Sequence, residues 1–163
     1  YCISKTSLLG DLLLVAEDEH LIGVYFSGRN HDFPVKTTGW TLDPKHPVLQ
    51  EANQQIEGYL DGSRKQFSLP IHFGGTDFQH EIWKQISLIP FGETISYSEL
   101  AKRAGAPSAV RAAGAATGRN PISIVVPCHR IVGKDGAMRG FGGGLDRKRK
   151  LLGIEGKMEA SLI

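Results

Sequence analysis

The stretch that carries the clearest chemical signal is Ile122-Ser123-Ile124-Val125-Val126-Pro127-Cys128-His129-Arg130-Ile131-Val132-Gly133. Its first five residues are uncharged and mostly β-branched, and Pro127 ends the run, so the pattern predicts a buried strand over 122–126. Cys128 is then expected where that strand ends. A thiol attacks as its thiolate, and an ordinary cysteine has a pKa of about 8.5, so rapid reaction at neutral pH needs a nearby base or positive charge. His129 and Arg130 can supply both.

A buried structural cysteine beside a surface histidine is the alternative interpretation of this stretch. Adjacent side chains in an extended segment point to opposite faces, so Cys128 and His129 would not face each other as the dyad of a protease does. Proton removal from the thiol would then have to pass through a turn or a bridging water. A cysteine hydrolase is therefore a poor fit to the order Cys128-His129.

Composition places the chain among ordinary globular proteins, with 163 residues, 40% hydrophobic and 22% charged. Its two cysteines are Cys2 and Cys128, and a disulfide between them would consume the residue that is expected to react. We therefore expect a reducing, intracellular setting. No apolar run approaches the roughly 20 residues that cross a bilayer, and the start lacks the pattern of a signal peptide, so no membrane association is expected.

The charges are unevenly distributed although the net charge is only +2. Between Lys102 and Lys150 there are eleven Lys and Arg residues against two acids, Asp135 and Asp146. A solvated basic face would explain a short run of such charges. A basic excess across this much of the chain favours a polyanionic partner.

Two short helices are predicted before the cysteine, over Ser96 to Ala104 and Ser108 to about Gly118, joined by the turn Gly105-Ala106-Pro107. This is the plan of a helix-turn-helix, with Ser96 and Ser108 as N-caps. Small residues dominate the second helix, and Arg111 is its one long side chain. Helix packing and close approach to another surface both explain such a helix. Because it has few groups that could read the major groove, it suits the minor groove better.

The remaining elements follow from apolar periodicity. The pattern predicts a β-hairpin over 8–16 and 21–26, a helix from Val48 to Leu60 and a further strand over 67–71. After a boundary near Gly74-Gly75, Thr76 caps a helix in which Trp83 is expected in the core. A last helix begins near Leu145. Cys2 and the histidines at 20, 31, 46 and 72 show no paired metal-ligand spacing, so neither a metal nor any other cofactor is predicted.

Further residues accompany the cysteine stretch in one fixed order. They are Phe78-Gln79 with Trp83, Ile89-Pro90 with Gly92, Ser96-Tyr97, Arg111, Gly118-Arg119-Asn120-Pro121, Pro127-Cys128-His129-Arg130, Gly143-Gly144-Leu145 and Leu151-Leu152 with Glu155-Gly156. In this order, over about half of the chain, they resemble the O6-alkylguanine-DNA alkyltransferases, also called methylated-DNA–protein-cysteine methyltransferases.

The resemblance implies an α+β or α/β protein of two domains. Residues 1–74 would form an N-terminal α/β ribonuclease-H-like domain of a sheet plus a helix. Residues 75–163 would form a mostly helical alkyltransferase and DNA-binding domain with a winged helix-turn-helix. Some relatives carry zinc in the first domain, which this chain is not expected to do.

The resemblance also implies the reaction, which is repair of DNA by direct reversal. Cys128 would take the alkyl group from O6-alkylguanine, and from O4-alkylthymine, in a single irreversible turnover. His129 would act as the base through water, Glu155 would orient His129, and Asn120 would hold the turn around Cys128. No cofactor is implied.

Four residues are implied in binding DNA by the minor groove with base flipping: Arg111, Tyr97, Ser98 and Arg119. Arg111 would fill the vacated stack, and Tyr97 would help to rotate the nucleotide out of the duplex. Tyr97 and the backbone at Ile131 and Gly142 would contact the flipped base. Some relatives have serine at the position of Gly142, and a backbone contact survives that difference.

The implied partner is double-stranded DNA containing O6-alkylguanine. We expect a monomer, in the cytoplasm of a bacterium or archaeon or in a eukaryotic nucleus, and leave open whether it binds DNA cooperatively. A non-catalytic protein that binds alkyl lesions is the alternative. Such proteins have tryptophan in place of the cysteine, so Cys128 argues against it.

Overall fold

The computed structural model describes residues 1–28 and 39–157. The described residues form five strands and five α-helices, namely β1 Cys2–Thr6, β2 Gly10–Glu17, β3 His20–Phe26, α1 Pro47–Leu60, α2 Asp77–Ser87, β4 Ile95–Ser96, α3 Tyr97–Arg103, α4 Val110–Gly118, β5 Ile131–Val132 and α5 Leu145–Ile154. The chain divides into an N-terminal unit, Tyr1–Phe73 with Pro121–Val125, and a C-terminal unit, Gly74–Asn120 with Val126–Ile163. A small sheet with a helix in the first unit and a mostly helical second unit confirm the predicted fold class.

The N-terminal unit contains a three-stranded antiparallel sheet in the order β1-β2-β3. The predicted hairpin is confirmed as β2 and β3, which are joined by a two-residue turn with Asp18 at a φ of 52°. The four residues 12–15 are all buried, as expected for a strand that is covered on both faces. β1 was not predicted from the sequence.

The single long helix described in this unit, α1, packs against the sheet. Pro47 occupies its first turn, and His46 Nδ1 accepts a hydrogen bond from Val48 N at 3.2 Å. The prediction of this helix is confirmed, but the predicted strand over 67–71 is wrong. Ser68 N donates instead to Gln55 Oε1 on the helix at 2.9 Å, and one bridge joins Ile71 to β3.

The segment Pro121–Val125 belongs to the N-terminal unit although it precedes the cysteine by only a few residues. Val24 N donates to the Pro121 carbonyl at 2.9 Å, and Val24 forms an isolated parallel bridge with Ile122. The chain then turns, with Ile124 at a φ of 72°. The predicted strand over 122–126 is therefore wrong, since a β-branched residue in the left-handed region ends any extended run.

The C-terminal unit begins with α2, whose start is fixed by a capping box. Thr76 Oγ1 accepts from Gln79 N at 3.2 Å, and the Gln79 side chain accepts from Thr76 N at 3.0 Å. Trp83 is buried, and its indole N–H donates to the Ala116 carbonyl in α4 at 2.9 Å. The N-cap at Thr76 and the core position of Trp83 were both predicted from the sequence and are confirmed.

Helices α3 and α4 pack together and form the predicted helix-turn-helix. Ser96 Oγ caps α3 by accepting from Glu99 N at 3.0 Å, as predicted. The predicted cap of the second helix is wrong, because α4 begins after Ala109 with no side-chain cap. The backbone turn between Ala106 and Ala109 leads into the helix instead.

Two short strands and a final helix complete the unit. β4 and β5 pair in parallel, with Ile95 opposite Ile131 and Ser96 opposite Val132. The predicted last helix is confirmed as α5. Among the helices of the described residues, none has the length and apolar character to span a membrane.

Candidate active site

Cys128 begins a 3₁₀ turn, Cys128–Arg130, and does not lie at the end of a strand. Its amide N donates to the Val126 carbonyl at 2.8 Å, and Asn120 Nδ2 donates to the same oxygen at 2.8 Å. Successive side chains of a 3₁₀ turn diverge by about 120°, whereas those of a strand point in opposite directions. The expectation that Cys128 and His129 occupy opposite faces is therefore wrong.

The thiol of Cys128 is largely buried, with 7% of the residue exposed. Cys128 and Cys2 are both reduced. For Cys2, burial raises the pKa of the thiol, so Cys2 is a weaker nucleophile at neutral pH.

The two residues after the cysteine hold one carboxylate between them. His129 Nε2–H donates to Glu155 Oε1 at 3.0 Å, and Arg130 donates from Nη2 at 2.7 Å and from Nε at 3.0 Å. The Gly92 amide donates to the same carboxylate at 3.2 Å. Glu155 follows the last residue of α5, so the end of that helix carries the carboxylate to the cysteine turn. The imidazole is therefore fixed in one orientation and tautomer.

Burial decides the charge of His129. It lowers the pKa of the ring below its ordinary value, and the neighbouring Arg130 and Lys148 charges act in the same direction. Glu155 opposes this shift by its hydrogen bond and its charge, but burial is the larger effect. The imidazole is therefore neutral at pH 7 and able to accept a proton.

Arg130 anchors this cluster to the rest of the unit. Its Nη1 donates to the Ile89 carbonyl at 2.6 Å, and its guanidinium lies 5.9 Å from the centre of the Phe91 ring. The buried Glu155 charge is thus paired and hydrogen-bonded, as a charge in the interior requires. From the sequence, Arg130 was expected to supply positive charge to the thiol, whereas in the structure it holds Glu155.

Tyr97 lies near the cysteine turn, because α3 starts where β4 pairs with β5 and β5 follows that turn. It is the first residue of the helix, half-buried, and a Cβ at Gly114 of α4 would lie 3.7 Å from its ring. Burial raises the pKa of Tyr97, and the charge of Cys128 adds to that shift while Arg139 opposes it. The phenol therefore stays protonated at neutral pH and can donate a hydrogen bond.

Lys148 is a residue of this region that was not predicted from the sequence. It is fully buried, and its Nζ donates to the Ile131 carbonyl at 2.6 Å and to the Arg139 carbonyl at 3.1 Å. The signal was available, because Lys148, Leu151 and Leu152 recur at helical spacing on the buried face of α5. The basic run around it concealed that position.

The glycine-rich loop that covers residues 133–144 connects β5 to α5. The Gly133 amide donates to the Ala137 carbonyl at 2.8 Å, and Gly144 turns the chain at a φ of 89°. A Cβ at Gly133 would lie 2.8 Å from Asp135 Oδ1 and 2.9 Å from Arg139 Nε, so the loop closes tightly here. Gly142 lies half-buried in its second turn.

The predicted base contact at Ile131 is partly occupied within the protein. Its amide donates to the Cys128 carbonyl, and its carbonyl accepts from Lys148. Ile131 is also fully buried.

The predicted DNA-binding residues lie on the helix-turn-helix. Arg111 is exposed in the first turn of α4, and Arg119 is exposed immediately after its end. Ser98 is half-buried in the first turn of α3. The structure thus brings Tyr97 and Asn120 to the cysteine turn and leaves the two arginines on the surface.

Within residues 1–28 and 39–157, no group of three His, Cys, Asp or Glu side chains could hold a metal ion. His31, which was weighed as a ligand in the sequence analysis, lies outside the described residues.

Two family models together match most of the chain. The model described as the ribonuclease-like domain of 6-O-methylguanine DNA methyltransferase matches residues 1–73. The model described as the DNA binding domain of the same protein matches residues 77–157.

Individual proteins are similar along nearly the whole length. The chain is 41% identical over 149 residues to the methylated-DNA–protein-cysteine methyltransferase of Mycolicibacterium paratuberculosis, covering 91% of this chain and 88% of the relative. It is 38% identical over 156 residues to the constitutive protein of that name in Bacillus subtilis, covering 95% and 94%. The crystal structure of Mycobacterium tuberculosis OGT in complex with DNA superposes with a TM-score of 0.87 at 38% identity, covering 98% and 93%.

Proposed function

The chain belongs to the 6-O-methylguanine DNA methyltransferase family, and we propose that Cys128 is the residue on which it receives the alkyl group from damaged DNA. It is a DNA-repair protein that transfers the alkyl group of O6-methylguanine in DNA to one of its own cysteines. The observation that carries the assignment to Cys128 is the turn in which the next two side chains hold a buried carboxylate.

His129 is the base in this proposal. Its Nε2–H is committed to Glu155, which leaves the ring lone pair on Nδ1. The lowered pKa of His129 keeps the ring neutral, so it can take the thiol proton through a bridging water. The sulfur of Cys128 then attacks the alkyl carbon, the bond from that carbon to O6 breaks, and its electron pair stays on the guanine, which takes up one proton.

Glu155 and Asn120 are positioning residues in this proposal. Glu155 orients the ring of His129 through the hydrogen bond to Nε2, and the same contact and its charge raise the pKa of the ring against the larger effect of burial. Asn120 fixes the Val126 carbonyl, which also accepts the Cys128 amide, and so holds the turn that presents the thiol.

Recognition of the lesion is assigned to the helix-turn-helix and to the loop behind the cysteine. The O6 atom lies inside a stacked duplex, so the damaged nucleotide must be rotated out. We assign Arg111 to the vacated space in the stack, with Ser98 and Arg119 on the DNA backbone. The protonated phenol of Tyr97 and the backbone at Ile131 and Gly142 would contact the flipped base.

Three further points rest on the same family membership. We propose division into domains at residues 1–74 and 75–163, which the two family models support because they meet between 73 and 77. We propose that the protein works as a monomer in the cytoplasm, where bacterial DNA lies. We also propose that the range of lesions that the protein repairs includes O4-alkylthymine.

The direct test is the mass of the intact protein after mixing with an excess of duplex DNA that contains O6-methylguanine. One addition of about 14 Da per chain, located by peptide mapping on Cys128, is expected because a methyl group replaces one hydrogen on sulfur. Cys2→Ala should behave like the wild type, and Cys128→Ala should gain no mass.

Two outcomes would contradict the assignment. Continued repair beyond one lesion per chain would exclude a stable thioether. Tight binding of the damaged DNA with no added mass would favour the non-catalytic lesion-binding protein, and mass on Cys2 would move the acceptor site.

A further inference from the structure

Lys148 is a buried cation to which the reaction above gives no role. We propose that Lys148 is a further positioning residue of this reaction, whose ammonium is the counter-ion of the Cys128 thiolate and ties the glycine-rich loop to it. This inference rests on the proposed function, since it concerns the same thiol.

The geometry places Lys148 between the cysteine turn and the loop. Its Nζ donates to the carbonyl of Ile131, the residue that follows the turn, at 2.6 Å. It also donates to the carbonyl of Arg139, inside the loop, at 3.1 Å. The Ile131 amide in turn donates to the Cys128 carbonyl, so Ile131 links the ammonium to the cysteine backbone through two hydrogen bonds.

Its charge has no carboxylate to balance it. Within the described part of the chain, no acidic side chain forms an ion pair with Lys148, although the residue is fully buried. Two neutral carbonyls stabilise an ammonium but do not cancel its charge. Burial lowers the pKa of Lys148 to about 8, and the negative charge that Cys128 can carry acts against that shift. Lys148 is thus still protonated at pH 7 and electrostatically coupled to the thiol.

None of the other ionisable groups around the cysteine turn can act as the anion that balances the charge of Lys148. They are Tyr97 on α3, His129 and Arg130 in the turn, Arg139 in the loop and Glu155 at the end of α5. Glu155 is already bound by Arg130 and His129. Tyr97 is kept neutral by its raised pKa, and the remaining groups are cations or a neutral ring. The thiolate is therefore the anion that matches the ammonium.

Alkyl transfer changes this balance. Before transfer, the thiolate carries one negative charge beside the positive charge of Lys148. During transfer, the bond from sulfur to the alkyl carbon forms, the bond from that carbon to O6 breaks, and the electron pair leaves with the guanine, which takes up the proton that His129 received from the thiol. The sulfur becomes a neutral thioether. Lys148 is then a buried ammonium without a counter-ion, a state that costs free energy.

The first test measures the thiol without any DNA. In a Cys2→Ala background, the rate at which iodoacetamide modifies the full chain is measured from pH 5 to pH 10. Lys148→Met should raise the midpoint of the pH profile by about one unit or more, because an opposite charge nearby favours the thiolate by that amount. Lys150→Met is the matched control, since it removes an exposed charge from the same helix and should leave the midpoint unchanged.

Lys148→Gln removes the charge of Lys148 but keeps a hydrogen-bond donor. It also provides a second variant for the measurement if Lys148→Met does not fold. Its amide can still donate toward the Ile131 and Arg139 carbonyls, but it carries no charge. The midpoint should rise in this variant too. A wild-type midpoint in Lys148→Gln would show that Lys148 supports the loop alone, and would overturn the proposal.

The second test follows stability after the thiol is modified. S-alkylation by iodoacetamide should lower the unfolding temperature of the wild type, and the decrease should be clearly smaller in Lys148→Gln, which has no ammonium to leave unpaired. Equal decreases in both proteins would contradict a counter-ion role.

The two proposals can fail separately. If the midpoint rises in Lys148→Gln but no methyl group is taken from O6-methylguanine DNA, the counter-ion stands and the proposed function fails. If repair occurs and the midpoint does not move, the proposed function stands and Lys148 has no part in activating the thiol.

Discussion

Glu155 accepts a hydrogen bond from Nε2 of His129 at 3.0 Å, and both side chains are completely buried. The same carboxylate holds Arg130, so three residues from two distant parts of the chain form one unit beside Cys128. Groups that act as a unit are strongly non-additive when they are removed one at a time.

Glu155→Gln should therefore raise the pH at which Cys128 reacts with O6-benzylguanine and slow the reaction at pH 7, by at most the roughly 10²–10⁴-fold that general-base catalysis contributes. His129→Ala should do at least as much, and the double variant should be no worse than the worse single variant. Stopped reactions analysed by mass measure these rates. Glu93→Gln, at an exposed position, is the control. Additive losses, or unchanged pH dependence in Glu155→Gln, would remove Glu155 from the mechanism, provided that affinity for undamaged DNA stays near the wild-type value.

Arg111→Ala should slow repair of duplex DNA much more than reaction with free O6-benzylguanine. Rotating a base out of the stack costs a few kcal/mol, so a loss of about tenfold or more is expected on the duplex and little on the free base. Single-turnover rates on both substrates decide this. Lys45→Ala, an exposed residue of the N-terminal unit, should change neither rate. Equal losses on both substrates would assign Arg111 to the fold or the thiol.

Acid should destabilise the protein through His129. Its pKa in the folded chain is lowered below the ordinary value of 6.5. At pH values below 6.5 the unfolded chain therefore binds a proton at this residue that the folded chain does not, so the free energy of unfolding decreases as the pH falls. Urea denaturation from pH 7.5 to pH 5 measures the slope. His129→Gln should flatten it and the exposed His20→Gln should not; the same slope in His129→Gln would refute this origin.

Trp83→Phe should destabilise the protein by about 0.5–1.5 kcal/mol through the lost hydrogen bond from the indole to the Ala116 carbonyl, which keeps the Arg119 amide as a donor. The smaller ring also leaves space in the core between α2 and α4. Chemical denaturation followed by circular dichroism measures the difference. Trp40→Phe, where 38% of the tryptophan is exposed, should change the free energy of unfolding by roughly 0.5 kcal/mol or less. If the two variants were equally stable, the indole hydrogen bond would have no net effect.

The elements that could be predicted are those whose signals are local. The cap at Thr76, the cap at Ser96 and the buried Trp83 each depend on residues within one or two turns of a helix. The same holds for the cysteine stretch, in which reactive residue types stand next to each other. These parts of the fold and of the candidate site were visible in the sequence.

What the sequence could not show depends on distant partners or on unusual backbone angles. Ile124 belongs to a residue type that favours strands, but its φ of 72° breaks the run. The opposite-face geometry of Cys128 and His129 failed for the same reason, because it assumed an extended chain where a 3₁₀ turn forms. Lys148 was missed although its spacing to Leu151 and Leu152 indicated burial, since a lysine on an apolar face is ordinarily exposed.

The segment Pro121–Val125 has a consequence for the order in which the protein can mature. It belongs to the N-terminal unit, to which it is joined through Val24, yet it is encoded some fifty residues after the rest of that unit ends at Phe73. Domains generally fold as they leave the ribosome, N-terminal part first. Here the first 73 residues emerge without Pro121–Val125, the segment that pairs with Val24. The N-terminal unit therefore cannot complete its folding until the chain has been translated past residue 125. By then the helix-turn-helix has already been made, so the nascent chain completes its first unit only when the cysteine turn is about to follow.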